Sequence, residues 1–179
     1  MIIGIHGGFA PWVGALITDL KQPILLVAPE GKEKETVTRL SRVGYDNTLG
    51  YLKGGFETWK ASGNDVSTLT SISAEEFSNH FKNDTVNTLD VRKDGEYKSE
   101  HLEGDHVQHF SLDFINENMN GIDKNKTYYV HCAGGYRSVI AASILKARGF
   151  NNLVDIAGGF GAIKKTDLPL TDFVCSTTL

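Results

Sequence analysis

The chain is poor in cysteine, with only Cys132 and Cys175 among its 179 residues. Two thiols cannot build the disulfide framework of a small secreted domain, and neither has the CxxC partner of a zinc site. A reducing, cytoplasmic setting with at least one working thiol is the expectation. No apolar run approaches the roughly 20 residues that span a bilayer. Residues Met1 to His6 show no basic segment ahead of a long apolar one, so no leader is expected. The net charge is −4 and lysines and arginines form no block, which argues against a nucleic-acid surface. His101, His106 and His109 lie close together, but no acidic or thiol ligands fall at a metal-site spacing. Neither metal nor cofactor is expected.

What the sequence does contain is internal similarity. Ile24-Leu25-Leu26-Val27-Ala28 matches Tyr128-Tyr129-Val130-His131-Cys132, at an offset of 104. Gly44-Tyr45-Asp46-Asn47 matches Gly149-Phe150-Asn151-Asn152 at 105, and Gly54-Gly55-Phe56 matches Gly158-Gly159-Phe160 at 104. Agreement at three ordered places indicates two copies of one unit. Each copy reads as strand, loop, helix, glycine stop, strand, then a Gly-Gly turn into another helix. The strands are Ile24–Val27 with Leu49–Leu52, and Tyr128–His131 with Leu153–Ile156. Val37, Leu40 and Val43 recur at helical spacing, and Gly44 supplies the left-handed stop. The corresponding helix, Ser138 to Arg148, is apolar nearly all round and ends at Gly149.

The second copy also has an earlier half. Ser73-Ala74-Glu75-Glu76 is a capping box opening a helix that carries Phe77 and Phe81, and Val86–Val91 reads as a strand. Residue 1 falls at the level of His101 to Gly104, so the first copy lacks this half. The expectation is a chain starting in mid-repeat, either preceded by more sequence or completing its sheet with another copy in a homo-oligomer. Residues 1–61 are then the C-terminal half of a cysteine-less copy, 62–70 a polar linker, and 71–179 a complete copy. Alternating strands and helices place the fold in the α/β class: a parallel sheet flanked by helices on both faces, in one and a half repeats.

The chemistry points to His131-Cys132-Ala133-Gly134-Gly135-Tyr136-Arg137-Ser138. Cys132 ends a buried strand, and ligands of open parallel sheets bind outside the carboxyl ends of strands. Free N–H groups of the loop and the first helical turn would face the sulfur, and the helix N-terminus carries about half a positive charge. Both favour thiolate over thiol. Gly134 and Gly135 permit the positive φ angles of a tight cradle. Arg137 offers a fork of donors suited to the oxygens of an anion. Cys132 would attack a sulfur atom and carry it as a persulfide.

The order of these motifs resembles the rhodanese family. The resemblance runs through Leu89-Asp90-Val91-Arg92, Glu96-Tyr97, His101-Leu102-x-Gly104, Cys132-x-x-Gly135-x-Arg137-Ser138 and Gly158-Gly159-Phe160. It implies a rhodanese-like fold, with Cys132 as persulfide carrier and Arg137 on the substrate side. Ala133, Gly134, Gly135, Tyr136 and Ser138 form the binding loop, and Asp90 and Arg92 brace it as a strand-end pair. Thiosulfate or a low-molecular-weight persulfide would be the donor and a thiol the acceptor. Glu96, Tyr97 and His101 read as fold residues, His131 as a strand-end residue, and Cys175 as incidental. In the first copy Ala28 stands at the cysteine position, so that half cannot perform the reaction. More narrowly, Phe9-Ala10-Pro11-Trp12-Val13-Gly14-Ala15-Leu16 ahead of such a loop is similar to the C-terminal region of metallo-β-lactamase-fold persulfide dioxygenase–rhodanese fusions. That implies an upstream metallo-hydrolase domain.

Two rival readings remain at this point. Cysteine phosphatases and arsenate reductases share the fold type but place five residues between cysteine and arginine, whereas four intervene here. A non-catalytic rhodanese-like binding module is the other, against which the intact Cys132 and Arg137 argue.

Overall fold

The computed structural model describes residues 1–83 and 86–175. They form two compact units, Ile3–Thr68, and Leu69 onward together with Met1–Ile2. Among the described residues no helix is long and apolar enough to cross a membrane.

The first unit runs α1 (Phe9–Leu16), β1 (Ile24–Leu26), α2 (Glu33–Ser41), β2 (Thr48–Tyr51) and α3 (Gly55–Ala61), with β1 and β2 paired in parallel. Beyond α2 the chain turns where glycine was expected to stop it. Gly44 has φ +90°, and the next N–H, of Tyr45, reaches back to the Leu40 carbonyl at 3.0 Å. Phe9, Val13, Leu40 and Tyr45 form this unit's core, with Ile24 and Leu26 against it. The other side of β1 carries Leu25 (76% exposed), and Val27, just beyond the strand, is 61% exposed. Pairing steps from Ile24–Thr48 to Leu25–Gly50, so Leu49 is an extra residue in β2. It falls where the offset between the matched segments returns from 105 to 104. Helix α1 is not legible from periodicity because it is apolar on nearly every side; Pro11 fits because it lies in the first turn.

The second unit contains β3 (Thr70–Ile72), α4 (Ala74–Asn83), β4 (Asn87–Asp90), α5 (Asp94–Ser99), β5 (Val107–His109), α6 (Ile115–Asn118), β6 (Tyr128–His131), α7 (Tyr136–Ala147), β7 (Leu153–Ile156) and α8 (Gly159–Ile163). Its five strands are all parallel in the order β3-β7-β6-β4-β5. Helices flank the sheet. On one face α4 and α8 close a core of Phe77, Leu102, Ile156, Phe160 and Ile163, to which Tyr129 of β6 also contributes. Tyr128, Val130 and Leu153 alternate to the other face, where α7 packs with Ile140, Ala141, Ile144 and Leu145 buried. The Ser73 hydroxyl accepts the Glu76 N–H at 3.1 Å, giving α4 its cap.

Strands β1, β2 and β4 and the end of α7 differ from the sequence reading by one residue, and two starts differ in kind. Helix α7 begins at Tyr136, two residues ahead of Ser138. Strand β3 starts at Thr70, inside the stretch read as linker, because this short polar edge strand has no apolar alternation. With β6 between β7 and β4, the residue after it, Cys132, emerges at the carboxyl end of the middle of the sheet.

Phe77→Ala is expected to cost about 3–5 kcal/mol, and Leu25→Ala no more than about 0.5 kcal/mol. Urea titration followed by circular dichroism of both variants measures the difference.

Candidate active site

Strand β6 delivers Cys132 to the sheet's carboxyl edge, and the chain then turns sharply into α7. The turn depends on Gly135, which has φ +104° and immediately precedes the helix. Gly134 does not use the positive-φ freedom allowed for it; its φ lies outside that region. The conformation at Gly135 aims its own N–H at the thiol, donating to Cys132 Sγ at 3.1 Å. On the other side Ser138 Oγ accepts from Sγ at 3.8 Å and donates to the Gly135 carbonyl at 3.1 Å. Ser138 is fully buried and Cys132 is 1% exposed, whereas Ala133 and Gly134 form the exposed outer part of the loop. Tyr136 is half-buried at the first position of α7, where desolvation raises its phenol.

The loop is held from behind by α8. The N–H groups of Phe160 and Gly161 donate to the carbonyls of Cys132 and Ala133, at 2.7 and 3.0 Å. This approach requires glycine at 159, where φ is +56° and a Cβ would lie 2.3 Å from the Cys132 carbonyl oxygen. The Phe160 ring in turn carries the Arg92 guanidinium 3.8 Å above its centre. Arg92 is clamped on Asp90: Nε lies 2.9 Å from each carboxylate oxygen, and the Arg92 amide donates to Oδ1 at 3.0 Å. A further guanidinium N–H reaches the Glu100 carbonyl at 2.9 Å. Burial acts to raise the Asp90 carboxyl, but the facing His131 and the bonded Arg92 outweigh it and hold the group below its ordinary value. Asp90 and Arg92 thus touch the loop's support rather than the sulfur.

His131 lies on the opposite side of β6 from Cys132, fully buried and stacked toward Phe160. Burial lowers its pKa, with the facing Asp90 carboxylate acting in the opposite direction. Its Nε2 stands 3.9 Å from Asp90 Oδ2 and its Nδ1 3.4 Å from the Cys132 carbonyl. His101 and His109 sandwich the Tyr97 ring, at centroid distances of 3.8 and 4.4 Å. Cys175 is exposed on the tail that follows Val174, whose backbone pairs with Ser99.

Arg137, read from the sequence as facing an anion, has its fork on a carboxylate of the protein. Its two terminal nitrogens meet the two oxygens of Glu96 on α5, the longer contact at 2.7 Å. The hydrogen bond from Arg137 is the main reason the Glu96 carboxyl lies below its usual range, with burial opposing and the Lys93 amide assisting. Arg137 is itself raised by Glu96 and also by the nearby Cys132. Glu96, assigned only a fold role from sequence, therefore belongs to the site. The two residues are 41 apart, beyond the reach of any helical or strand period, and only the family motif marked Glu96.

Residues 73–166 match the model of the rhodanese-like domain family. A curated relative in Bacillus subtilis (strain 168), named "Putative sulfur carrier protein YrkF", is 32% identical over 108 residues. That match spans 60% of this chain and 55% of the relative, so the chain covers about half of that protein's length. Among solved structures, a rhodanese-like domain protein from Staphylococcus aureus is 30% identical with a TM-score of 0.51, over 58% of this chain and all of the other. A rhodanese-related protein from Thermoplasma volcanium is 26% identical with a TM-score of 0.50, over 57% and 97% of the two chains.

Two substitutions test the support of the loop. Gly159→Ala is expected to cost about 2–4 kcal/mol from the left-handed backbone and the clash with the Cys132 carbonyl. Gly134→Ala, with open space around it, is expected to stay within about 0.5 kcal/mol; thermal melts of both compare them. Asp90→Asn leaves Arg92 buried without its carboxylate, at an expected cost of about 3–5 kcal/mol at neutral pH. Because Asp90 lies below its unfolded value of about 3.9, its contribution is present above about pH 4 and lost as pH falls toward the folded value. Denaturant titrations across that range are expected to show a shallower acid limb in Asp90→Asn than in the wild type.

Proposed function

The chain belongs to the rhodanese-like domain family, and from that premise we propose that it is a sulfurtransferase moving a sulfane sulfur through a Cys132 persulfide. The Cys132 thiolate attacks the outer sulfur of the donor, forming a new S–S bond. The donor's own bond to that sulfur breaks, and its electron pair leaves with sulfite, from thiosulfate, or with a thiolate, from a low-molecular-weight persulfide. A thiol acceptor then attacks the terminal sulfur and frees Cys132, so no external oxidant or reductant is needed.

The observation that carries this reading is the Gly135 N–H on Cys132 Sγ at 3.1 Å, directly ahead of α7. A main-chain donor and a helix N-terminus both stabilise negative charge on sulfur, and the same loop can hold the extra atom of a persulfide. Arg137, one turn away and responsive to the charge of Cys132, supplies the donor side. Four residues between Cys132 and Arg137 make a smaller ring than the phosphatase and arsenate-reductase loops, so that alternative is not favoured. The sulfur-carrier name of the Bacillus subtilis relative fits the same theme.

The first unit takes a supporting part in this proposal, as a degenerate half copy. Gly54 and Gly55 have φ +76° and +61°, beside +77° and +56° at Gly158 and Gly159. A Cβ on Gly55 would meet the Ala28 carbonyl oxygen at 2.6 Å, as one on Gly159 would meet that of Cys132. Ala28 has no thiol to offer. The likeness of Phe9–Leu16 to persulfide dioxygenase–rhodanese fusions adds the proposal that the donor is a low-molecular-weight persulfide.

Intact-mass spectrometry after exposure to thiosulfate or glutathione persulfide tests the reading. Gain of one sulfur atom, removed by dithiothreitol and absent from Cys132→Ser, is expected. Uptake by Cys132→Ser, or none by the wild type from either donor, contradicts it.

A further inference from the structure

Among the described residues, three cationic side chains around the Cys132 loop are matched by carboxylates. Arg92 lies on Asp90, Lys164 on Glu100, and Arg137 on both oxygens of Glu96. The first two pairs frame Phe160, whose N–H holds the Cys132 carbonyl. The third stands at the position where a donor's charged end would meet the guanidinium. Arg137 is 15% exposed and Glu96 37%, so the pair is partly shielded from solvent. Glu96 is fixed there by more than Arg137: its carboxylate also accepts the Lys93 backbone N–H at 3.1 Å, at the start of α5. The carboxylate is thus built into the helix start, not borrowed from a mobile surface chain.

We infer that Glu96 is a specificity-determining residue, one that neutralises Arg137 and turns the site away from small dianionic donors toward organic persulfides. The inference rests on the sulfur-transfer reading and deepens it by assigning the choice between the two donor classes to one residue. A dianion such as thiosulfate must displace Glu96 from the guanidinium or approach it as a like charge, and either weakens binding. An organic persulfide, R–S–SH, brings its transferable sulfur on a thiol that needs no oxyanion clamp. Cys132 forms a bond to the outer sulfur, the R–S bond breaks, and R–S leaves with the electron pair and takes up a proton. The sum is R–S–SH plus Cys132–SH giving R–SH plus Cys132–S–SH, with atoms and electrons balanced. The N–H groups of Arg137 that Glu96 does not occupy remain to orient the incoming sulfur.

Glu96→Gln tests this, since the amide keeps the shape and removes the charge. Removal of a unit charge acting on a dianion is expected to raise kcat/KM for thiosulfate by about tenfold, mostly through KM, and to change that for 2-hydroxyethyl persulfide, whose organic part is uncharged, by less than about threefold. The rise is expected to shrink at high salt. A second readout needs no turnover: the ratio of Cys132 alkylation rates by iodoacetate and iodoacetamide is expected to rise about threefold or more in Glu96→Gln. An equal loss with both donors, or an unchanged alkylation ratio, overturns the inference and leaves Glu96 as a residue that merely positions Arg137. Wild-type protein that accepts sulfur from neither donor overturns the transfer reading itself, and the alkylation ratio then still decides whether Glu96 sets the charge at Cys132.

Discussion

The second unit is organised around one contact, the amide of Gly135 against the sulfur of Cys132. A main-chain N–H can be aimed at the preceding strand end only if the chain folds back tightly, and that needs the positive φ found at Gly135. Folding back in turn starts α7 at the next residue and brings Ser138 beneath the sulfur. The carbonyls left pointing the other way would be costly if unpaired, and α8 begins where its first N–H groups can take them. Glycine at 159 follows from that close approach. The Asp90–Arg92 pair then fills the space under Phe160, so a buried ion pair serves the loop at second hand.

The electrostatics follow from burial. A thiol that is almost fully enclosed cannot rely on water to stabilise charge, so fixed dipoles must do so. The neighbouring ionised side chains are paired, which limits the cost of burying them but also cancels the positive field that a free anion would seek. In the proposed reaction, that balance connects the packing of α5 to the choice of sulfur donor.

Much of this was legible in the sequence because the informative signals are local. Cys132, Gly135, Arg137 and Ser138 lie in one short loop, and the Gly44, Gly149 and Gly-Gly positions punctuate elements that the apolar pattern already suggested. The parallel sheet follows from strand–helix alternation. What was not legible depends on meetings between distant segments. The partner of Arg137 is on α5, the lid over the loop carbonyls is on α8, and the edge strand β3 is too polar to stand out. Helix α1 was hidden for the opposite reason, since a segment apolar all round has no periodicity to read. Gly134 and Gly135 look alike as letters, yet only the second uses its freedom.

A crystal structure of the protein after treatment with an organic persulfide tests the central claim most directly. The account expects one additional sulfur atom bonded to Cys132 Sγ and lying against the loop amides between residues 133 and 138. Additional sulfur found on Cys175 instead, or a Cys132 left unmodified with the Gly135 amide turned away from it, would contradict the account.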